Sequence, residues 1–450
     1  MNLDMTKGSP LKLILKFLVP VLLGCVFQQL YNMVDTIIVG KGVGSDALAA
    51  VGATGTIVFF ILGFMNGLTT GFTVLSSQRY GAGDYEGLRK SVGNAFVLGL
   101  IVTVIMTIAS LLGMDWLLRI MQTPEDIFDM SKEYIVIICV GIIFTTLYNL
   151  TASILRAVGN SKVPLYFLIL SALLNVVLDL FFIMVLSWGV AGAAIATVLS
   201  RYVELGIITV WSHTHTDKVP YIKGVYRTLK IPKELTQQIV AKGLPLILNE
   251  ALWAFGIAIL NQCYSTRGLA AVAGINISST ITNLFNVVFI AMGSALAIIV
   301  GQLLGAGKLK EAKETDTKLI FASVASCFVI GTIMAIVAPL FPQLYNTTDE
   351  VKELATFFII FSAFMMPFNA FLHSAYFTLR SGGKTLITFF FDAGFVWIVS
   401  IPLAMMLSRL TDMPVRVLYA CCTGADLIKV VIGYILVKRG KWVVKIVDND

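Results

Sequence analysis

Long apolar runs separated by short polar loops are the feature that most constrains this chain. A bilayer core about 30 Å thick is crossed by about 20 apolar residues of α-helix, because the helix rises 1.5 Å per residue. Runs of at least that length occur twelve times. We therefore predict an all-α polytopic membrane protein with transmembrane helices near residues 13–40, 47–76, 91–114, 132–154, 163–186, 190–211, 238–265, 269–303, 317–340, 352–377, 385–408 and 413–437.

Composition supports this prediction and excludes several classes of protein. Hydrophobic residues make up 57% of the 450 residues and charged residues 13%, whereas soluble chains carry about 25% charged residues. A soluble enzyme, a disordered chain and a disulfide-stabilised secreted domain are all excluded. The six cysteines lie in apolar runs without metal-binding or redox spacing, so we expect them to be buried hydrophobic side chains.

Orientation follows from the distribution of basic residues. If the N-terminus is cytoplasmic, most of the 33 Lys and Arg residues fall in cytoplasmic loops and tails. The positive-inside rule then predicts a multi-pass protein of the cell (inner) membrane with both termini in the cytoplasm. The net charge of +7 is explained by basic loops that face the lipid bilayer, so no nucleic acid is expected as a partner.

Several short motifs occur twice at one constant spacing. Gln78-Arg79-Tyr80-Gly81-Ala82-Gly83 returns as Gln302-Leu303-Leu304-Gly305-Ala306-Gly307, and Leu155-Arg156 returns as Leu379-Arg380. Nearer the start of each half, Pro20 matches Pro245 at almost the same spacing. Agreement in independent loops indicates an internal duplication.

The duplication predicts two lobes of six helices each. We expect a first lobe at residues 1–211, a polar cytoplasmic linker at 212–237, and a second lobe with a short basic tail at 238–450. Because each lobe contains an even number of spans, the repeats are parallel and related by a pseudo-two-fold axis along the membrane normal. Such symmetry is typical of secondary transporters.

Ionisable residues inside the spans are candidates for function, because charge at mid-bilayer costs several kcal/mol. Two sets have a structural explanation. Arg201 with Glu204, and Asp426 with Lys429, are opposite charges three residues apart on one helix, so we expect each pair to neutralise itself. The remaining candidates are Asp35, Asp179, Glu250, His373 and Asp392.

Depth in the membrane groups four polar residues of the first lobe. Asp35, Asp179 and Thr197 each lie about eight residues from an outer turn, or about 12 Å deep, and Asn175 is one turn from Asp179. An all-oxygen cluster suits a proton shared between carboxyl groups or a hard cation such as Na⁺. The alternative is a hydrogen-bonded network that only joins helices. We predict a coupling-ion site and no other metal site.

Other residues supply weaker predictions. Pro20 lies in the same helix as Asp35 and can act as a hinge or as a static kink. Glu250 is either a cavity charge of the second lobe or a packing residue. Asp392 and His373 carry less weight, since a lone histidine on an aromatic-rich helix is more often a core residue.

Motifs of catalysis are not found in the sequence. It contains no nucleotide-binding loop, no HExxH and no GxSxG, so we expect neither an enzyme nor a cofactor. Uphill transport would then draw on ion gradients, which supply about 2.3 kcal/mol per charge per 100 mV.

These residues together resemble the multidrug and toxic compound extrusion (MATE) family over nearly the whole chain. The motifs that carry the resemblance are Pro20 through Val34-Asp35-Thr36, Leu48-Ala49-Ala50-Val51-Gly52, the duplicated Gln-x-x-Gly-Ala-Gly loop, Leu155-Arg156-Ala157-x-Gly, Asn175-x-x-x-Asp179 and Leu379-Arg380-x-Gly. The resemblance implies twelve helices in two lobes and alternating access. It also implies cation-coupled antiport of organic cations and other amphipathic compounds.

The resemblance also implies roles for single residues. The proton or Na⁺ site of the family falls on Asp35, Asn175, Asp179 and Thr197, its bending proline on Pro20, and the helix-7 glutamate of the NorM branch on Glu250. That branch has an aspartate in helix 10 where this chain has Asn369, which weakens the expectation of an ion site in the second lobe.

The resulting hypothesis is a secondary active antiporter that exports organic cations or amphipathic drugs in exchange for H⁺ or Na⁺. The substrates are expected to be small, amphipathic and cationic, and the protein monomeric. The first alternative is a flippase for lipid-linked oligosaccharide or another lipid, from the wider superfamily. A passive channel or a structural scaffold is the second, although neither needs a buried carboxyl cluster beside a proline.

Overall fold

The structure is a computed structural model that describes residues 10–121, 123–219, 221–225 and 233–447. Within these ranges the chain forms helices, turns and irregular segments, without a strand. The termini and part of the segment after the sixth span lie outside the described residues, so their predicted cytoplasmic location stays a prediction.

Six spans make up the first half of the chain. The fifth begins as an α-helix and continues as a π-helix at Leu180–Val185. The α-helices of this half are α1 (Pro10–Gly42), α2 (Ser45–Ala82), α3 (Tyr85–Ile120), α4 (Glu125–Ala157), α5 (Lys162–Asp179) and α6 (Gly189–Thr214).

Six further spans follow. The eleventh is α11, two π-helical segments (Phe390–Gly394 and Val396–Ser400) and α12, while the twelfth is α13 followed by α14. The α-helices of this half are α7 (Lys233–Ser265), α8 (Leu269–Gly305), α9 (Leu309–Val337), α10 (Asp349–Ser381), α11 (Thr385–Phe389), α12 (Ile401–Leu410), α13 (Val415–Gly424) and α14 (Asp426–Lys438).

The prediction of twelve spans is confirmed. Twelve segments of the described chain are long and apolar enough to cross a membrane, and each overlaps one predicted span. The helix ends differ more, because apolar windows do not register the amphipathic turns beside the loops. Thus α9 begins at Leu309, whereas the ninth span was predicted to begin at residue 317.

The chain divides into two compact units, which we call the first and second lobes. The first ends at Ile247 and the second begins at Leu248, so the boundary falls inside α7. In each lobe the apolar side chains pack into clusters between neighbouring helices.

Backbone geometry shows that the duplicated loops have the same shape in both halves. Gly83 and Gly307 have φ of 75° and 74°, and Gly159 and Gly383 have φ of 85° and 68°. These left-handed angles are accessible to glycine at low cost and strained for other residues. The repeated glycines therefore end their helices in the same way in both lobes.

The described part of the predicted linker is packed into the first lobe. Val219, Tyr221, Ile222 and Val225 are buried in a cluster with residues of α2, α3, α4 and α6. The apolar residues in this part of the predicted polar linker are therefore buried, while its lysines are exposed. Residues 220 and 226–232 of the predicted linker lie outside the described residues.

The segment after α14 packs in a similar way on the second lobe. Trp442 is 1% exposed, and its indole Nε1 donates to the carbonyl of Val437. Its backbone lies so close to Gly382 that a side chain at Gly382 would collide with it. Each six-helix half is thus followed by a segment with a buried aromatic residue, Tyr221 in the first half and Trp442 in the second.

Candidate functional site

The predicted coupling residues come from three helices that pack against one another. Asp35 lies on α1, Asn175 and Asp179 lie on α5, and Thr197 lies on α6. The carboxyl groups of Asp35 and Asp179 are neighbours and act on each other electrostatically. The structure therefore brings two of the four residues together directly.

Burial makes this pair of carboxyl groups unusual. Asn175 and Asp179 are fully buried, and Asp35 is half-buried. No described residue makes a hydrogen bond with either oxygen of Asp179, with the Asn175 amide or with Asp35 Oδ1. Buried polar groups normally find partners, so these atoms have hydrogen-bonding capacity that the described residues do not use.

Two tyrosines complete the cluster. Tyr31 lies one turn before Asp35 on α1, close to Thr197 and within electrostatic range of both carboxyl groups. Tyr134 approaches the same pair from α4. The spacing of Tyr31 and Asp35 on one helix face was a usable signal, whereas nothing in the sequence connected Tyr134 with the site.

A buried ion pair lies beside the cluster. Arg201 Nη1 and Glu204 Oε2 are 2.7 Å apart, and the Glu204 side chain is fully buried. The guanidinium of Arg201 also lies over the ring of Tyr31, 5.2 Å from its centre. The predicted pairing of Arg201 with Glu204 is confirmed. Arg201 forms its ion pair with Glu204, and within the described chain it forms no ion pair with Asp35 or Asp179.

A change of helix type occurs directly after Asp179. The fifth span changes there from α-helix to the π-helix Leu180–Val185. Short π-helical segments are rare in proteins, and those that occur often lie at functional sites. This irregularity carries no signal in an apolar sequence, so only the structure reveals it.

The second lobe contains a polar cluster of a different kind. Lys429 Nζ on α14 lies 2.6 Å from Asp392 Oδ1, and Asn249 Nδ2 on α7 lies 3.0 Å from Asp392 Oδ2. Asn249 also accepts the backbone N–H of Ala393 within the π-helix Phe390–Gly394. The prediction that Lys429 pairs with Asp426 is therefore wrong, since Lys429 reaches a carboxylate on another span.

Glu250 lies beside this second cluster. It is half-buried on α7, and Arg380 and Asp392 are the charged groups that act on it. His373 packs against the ring of Phe289, 4.6 Å between centres, as expected of a core histidine. Asn369, in the place of the NorM aspartate, is half-buried on α10.

Pro20 is a buried residue inside α1, which runs as one helix from Pro10 to Gly42. It precedes Asp35 by about four turns on the same helix. A proline inside a helix removes one backbone hydrogen bond and creates a natural bending point. Its role as a moving hinge stays a prediction.

Comparison with known proteins decides the family. The MatE family profile matches residues 20–181 and again residues 245–406, so each match begins at one of the paired prolines. The chain belongs to the MatE family. It is accordingly a multi-pass membrane transporter and not an enzyme, and the MATE resemblance of its sequence is confirmed.

Individual relatives agree with this assignment. The chain is 28% identical over 89% of its length to the probable multidrug resistance protein YoeA of Bacillus subtilis, covering 87% of that protein. It is 30% identical to the probable multidrug resistance protein YpnP of the same organism, over 68% of each chain. A crystal structure of MATE in the straight conformation matches with a TM-score of 0.89 and 24% identity, over 97% of each chain, and so shares the fold.

Proposed function

We propose that this MatE protein is a secondary active antiporter that exports small amphipathic organic cations in exchange for H⁺ or Na⁺. The observation that carries the proposal is the pair of neighbouring carboxyl groups, Asp35 and Asp179, inside the first lobe without a paired cation among the described residues. Relatives described as probable multidrug resistance proteins support the export of drugs.

Charge balance explains why the pair would bind an ion. Two ionised carboxylates side by side in a poorly solvated site repel each other, so the pair holds a proton or a cation to relieve the repulsion. Arg201 is engaged by Glu204 and does not neutralise it. The pair therefore gains stability whenever it takes up H⁺ or Na⁺.

Each remaining residue has an assigned task in this proposal. Asp35 and Asp179 bind the coupling ion, while Asn175 and Thr197 offer it neutral oxygen atoms. Pro20 lets α1 bend as the ion binds and leaves, which couples the site to alternating access. Glu250 provides a negative charge for a cationic substrate in the second lobe. We further propose a monomer in the cell (inner) membrane, with both termini in the cytoplasm and no cofactor.

The test is ethidium efflux from proteoliposomes under an imposed pH or Na⁺ gradient. Asp35→Asn keeps the shape of the side chain and removes its ability to ionise, so gradient-driven efflux should fall about tenfold or more. Asp129→Asn, the same change at an exposed acid of α4, serves as the matched control and should keep the wild-type rate.

The gradient that drives efflux in the wild type identifies the ion. Wild-type protein that moves dye under neither gradient contradicts drug antiport, and a lipid-linked substrate would then be tested by a flipping assay. Equal efflux by the wild type and Asp35→Asn would remove Asp35 from the coupling site.

A further inference from the structure

The second lobe contains a buried carboxyl group that has no part in the proposed coupling site. Asp316 lies on α9 and is 1% exposed. The hydroxyl of Thr378 on α10 donates to Asp316 Oδ1 at 2.5 Å. Its other oxygen, Oδ2, is buried, and no described residue makes a hydrogen bond with it. Thr378 therefore gives a hydrogen bond to only one of the two carboxyl oxygens of Asp316.

Neighbouring helices bring no charge that would neutralise Asp316. Helix α8 contains no ionisable residue along its whole length, and on α10 the guanidinium of Arg380 lies over the ring of Phe377. Two lysines of α9, the helix that contains Asp316, are exposed: Lys313 and Lys318. Burial and the Thr378 hydroxyl are the influences that act on Asp316.

The first lobe has apolar residues at the matching positions. At the spacing that relates Gln78 to Gln302, Val92 corresponds to Asp316 and Ile154 corresponds to Thr378. Val92 and Ile154 are 0% and 1% exposed and belong to one hydrophobic cluster. The repeat therefore packs well with two apolar side chains at this point, and the fold itself does not require an acid there.

A second pair of polar residues on α9 and α10, one to two turns away, also corresponds to non-polar residues of the first lobe. Ser323 and Ser374 correspond to Gly99 and Leu150 of the first lobe, where the leucine side chain packs over the glycine. Ser323 and Ser374 are 1% and 0% exposed, and neither hydroxyl has a hydrogen-bond partner among the described residues. We call these two serines, with Asp316 and Thr378, the α9–α10 seam.

Solvation energy indicates the state of Asp316 in this packing. An ionised carboxylate buried without a counter-charge is costly enough that the group takes up a proton instead. A neutral carboxylic acid fits the site, because one oxygen accepts from Thr378 and the other carries the hydrogen. The seam hydroxyls of Ser323 and Ser374 offer hydrogen-bonding partners to water that enters between α9 and α10.

We propose that Asp316 is a proton-binding site of the second lobe. Its carboxylate takes a proton from water when α9 and α10 pack as described, and returns it to water when the α9–α10 seam opens. That this proton belongs to a transport cycle rests on the proposed antiport function. The presence of the proton on Asp316 does not depend on that function and can be measured without transport.

Infrared spectroscopy of the full chain in lipid nanodiscs tests the protonation directly. A protonated buried carboxyl gives a C=O stretching band at neutral pH, and Asp316→Asn should remove the component of this band that belongs to Asp316. Glu314→Gln, at an exposed acid on the same helix, should keep the band, and Thr378→Val should shift it because a hydrogen bond is lost. An unchanged band in Asp316→Asn overturns the proposal.

Transport supplies the second readout. The double variant Asp316→Val with Thr378→Ile copies the first lobe's pair and should fold, as checked by its gel-filtration profile. We expect its dye efflux to lose part of its pH dependence and to fall about threefold or more relative to Glu314→Gln. A wild-type rate and pH profile in this variant would show that Asp316 has no part in transport.

The two failures can be distinguished. Wild-type protein without gradient-driven efflux contradicts antiport, whereas the infrared band still decides whether Asp316 carries a proton. If the double variant does not fold, the polar pair is required for packing and the comparison with Val92 and Ile154 is wrong. The infrared band of the single variant Asp316→Asn then decides the proposal: a lost band supports it and an unchanged band overturns it.

Discussion

In the first lobe Asp35 and Asp179 lie side by side, and no cation in the described part of the chain pairs with them, whereas in the second lobe Asp392 accepts hydrogen bonds from both Lys429 and Asn249. The duplicated loops of the two halves have the same backbone conformation, including the glycines with left-handed φ. A duplicated fold therefore preserves loop and packing geometry while its buried charges diverge. An acid without a paired cation can exchange a proton or ion, whereas a paired acid joins helices.

Loss of transport in Asp35→Asn is the largest expected effect. The next largest is a loss of stability when one partner of a buried ion pair is removed. Arg201→Met leaves Glu204 buried and uncompensated, which should lower the free energy of unfolding by about 3–5 kcal/mol. Lys429→Met should cost less, because the Asp392 side chain is 20% exposed and that of Glu204 is not. Unfolding in SDS–detergent mixtures measures both.

Neutral double variants provide the control for these ion pairs. Arg201→Met with Glu204→Gln, and Lys429→Met with Asp392→Asn, should each recover much of the loss, because no charge is left uncompensated. If a double variant is as unstable as its single variant, packing of the cationic side chain, and not charge, determines the stability.

A smaller effect should separate the polar and apolar versions of the α9–α10 interface. Thr378→Val leaves the Asp316 carboxyl without its donor and should cost about 1–2 kcal/mol of unfolding free energy. At the matching position of the first lobe, Ile154→Val removes one methyl group and should cost about 0.5–1.5 kcal/mol. Only the Thr378 variant should lose stability in a manner that depends on pH.

That pH dependence is the decisive difference between the two sites. Unfolding curves collected at several pH values would reveal it. If both variants respond to pH alike, Asp316 does not distinguish the lobes.

The smallest effect should be the same in both lobes. Gly83→Ala and Gly307→Ala place a side chain on left-handed backbone with no other atom within 4 Å. Each should therefore cost only the backbone strain, about 1 kcal/mol. Thermal unfolding of the two variants should shift by similar amounts. A much larger loss at one glycine would mean that the two loops are not equivalent.

Sequence patterns predicted the parts of this protein that depend on local chemistry. Twelve spans follow from apolar length, and the duplication follows from motif spacing. Asp35, Asn175, Asp179 and Thr197 were grouped by depth, and the structure places Asp35 beside Asp179. The Arg201–Glu204 pair was predictable because residues three apart share one helix face.

Other features escaped prediction for physical reasons. Asp316 lies one residue before the predicted ninth span, since a hydropathy window stops where lysines appear although one face of α9 is already buried. Lys429 was assigned to Asp426 because only same-helix neighbours are visible in a sequence. The linker was predicted from its polar residues, whereas Tyr221 within it is 2% exposed.

The sequence by itself determined that the chain is a duplicated, twelve-span membrane protein with acids inside its spans, because length, hydropathy and repetition are local properties. Only the tertiary structure decided which acids are neutralised. Whether a buried carboxyl has a partner depends on side chains from other helices, such as Lys429 for Asp392 and Thr378 for Asp316. Those distances are set by packing between helices, which no single segment encodes.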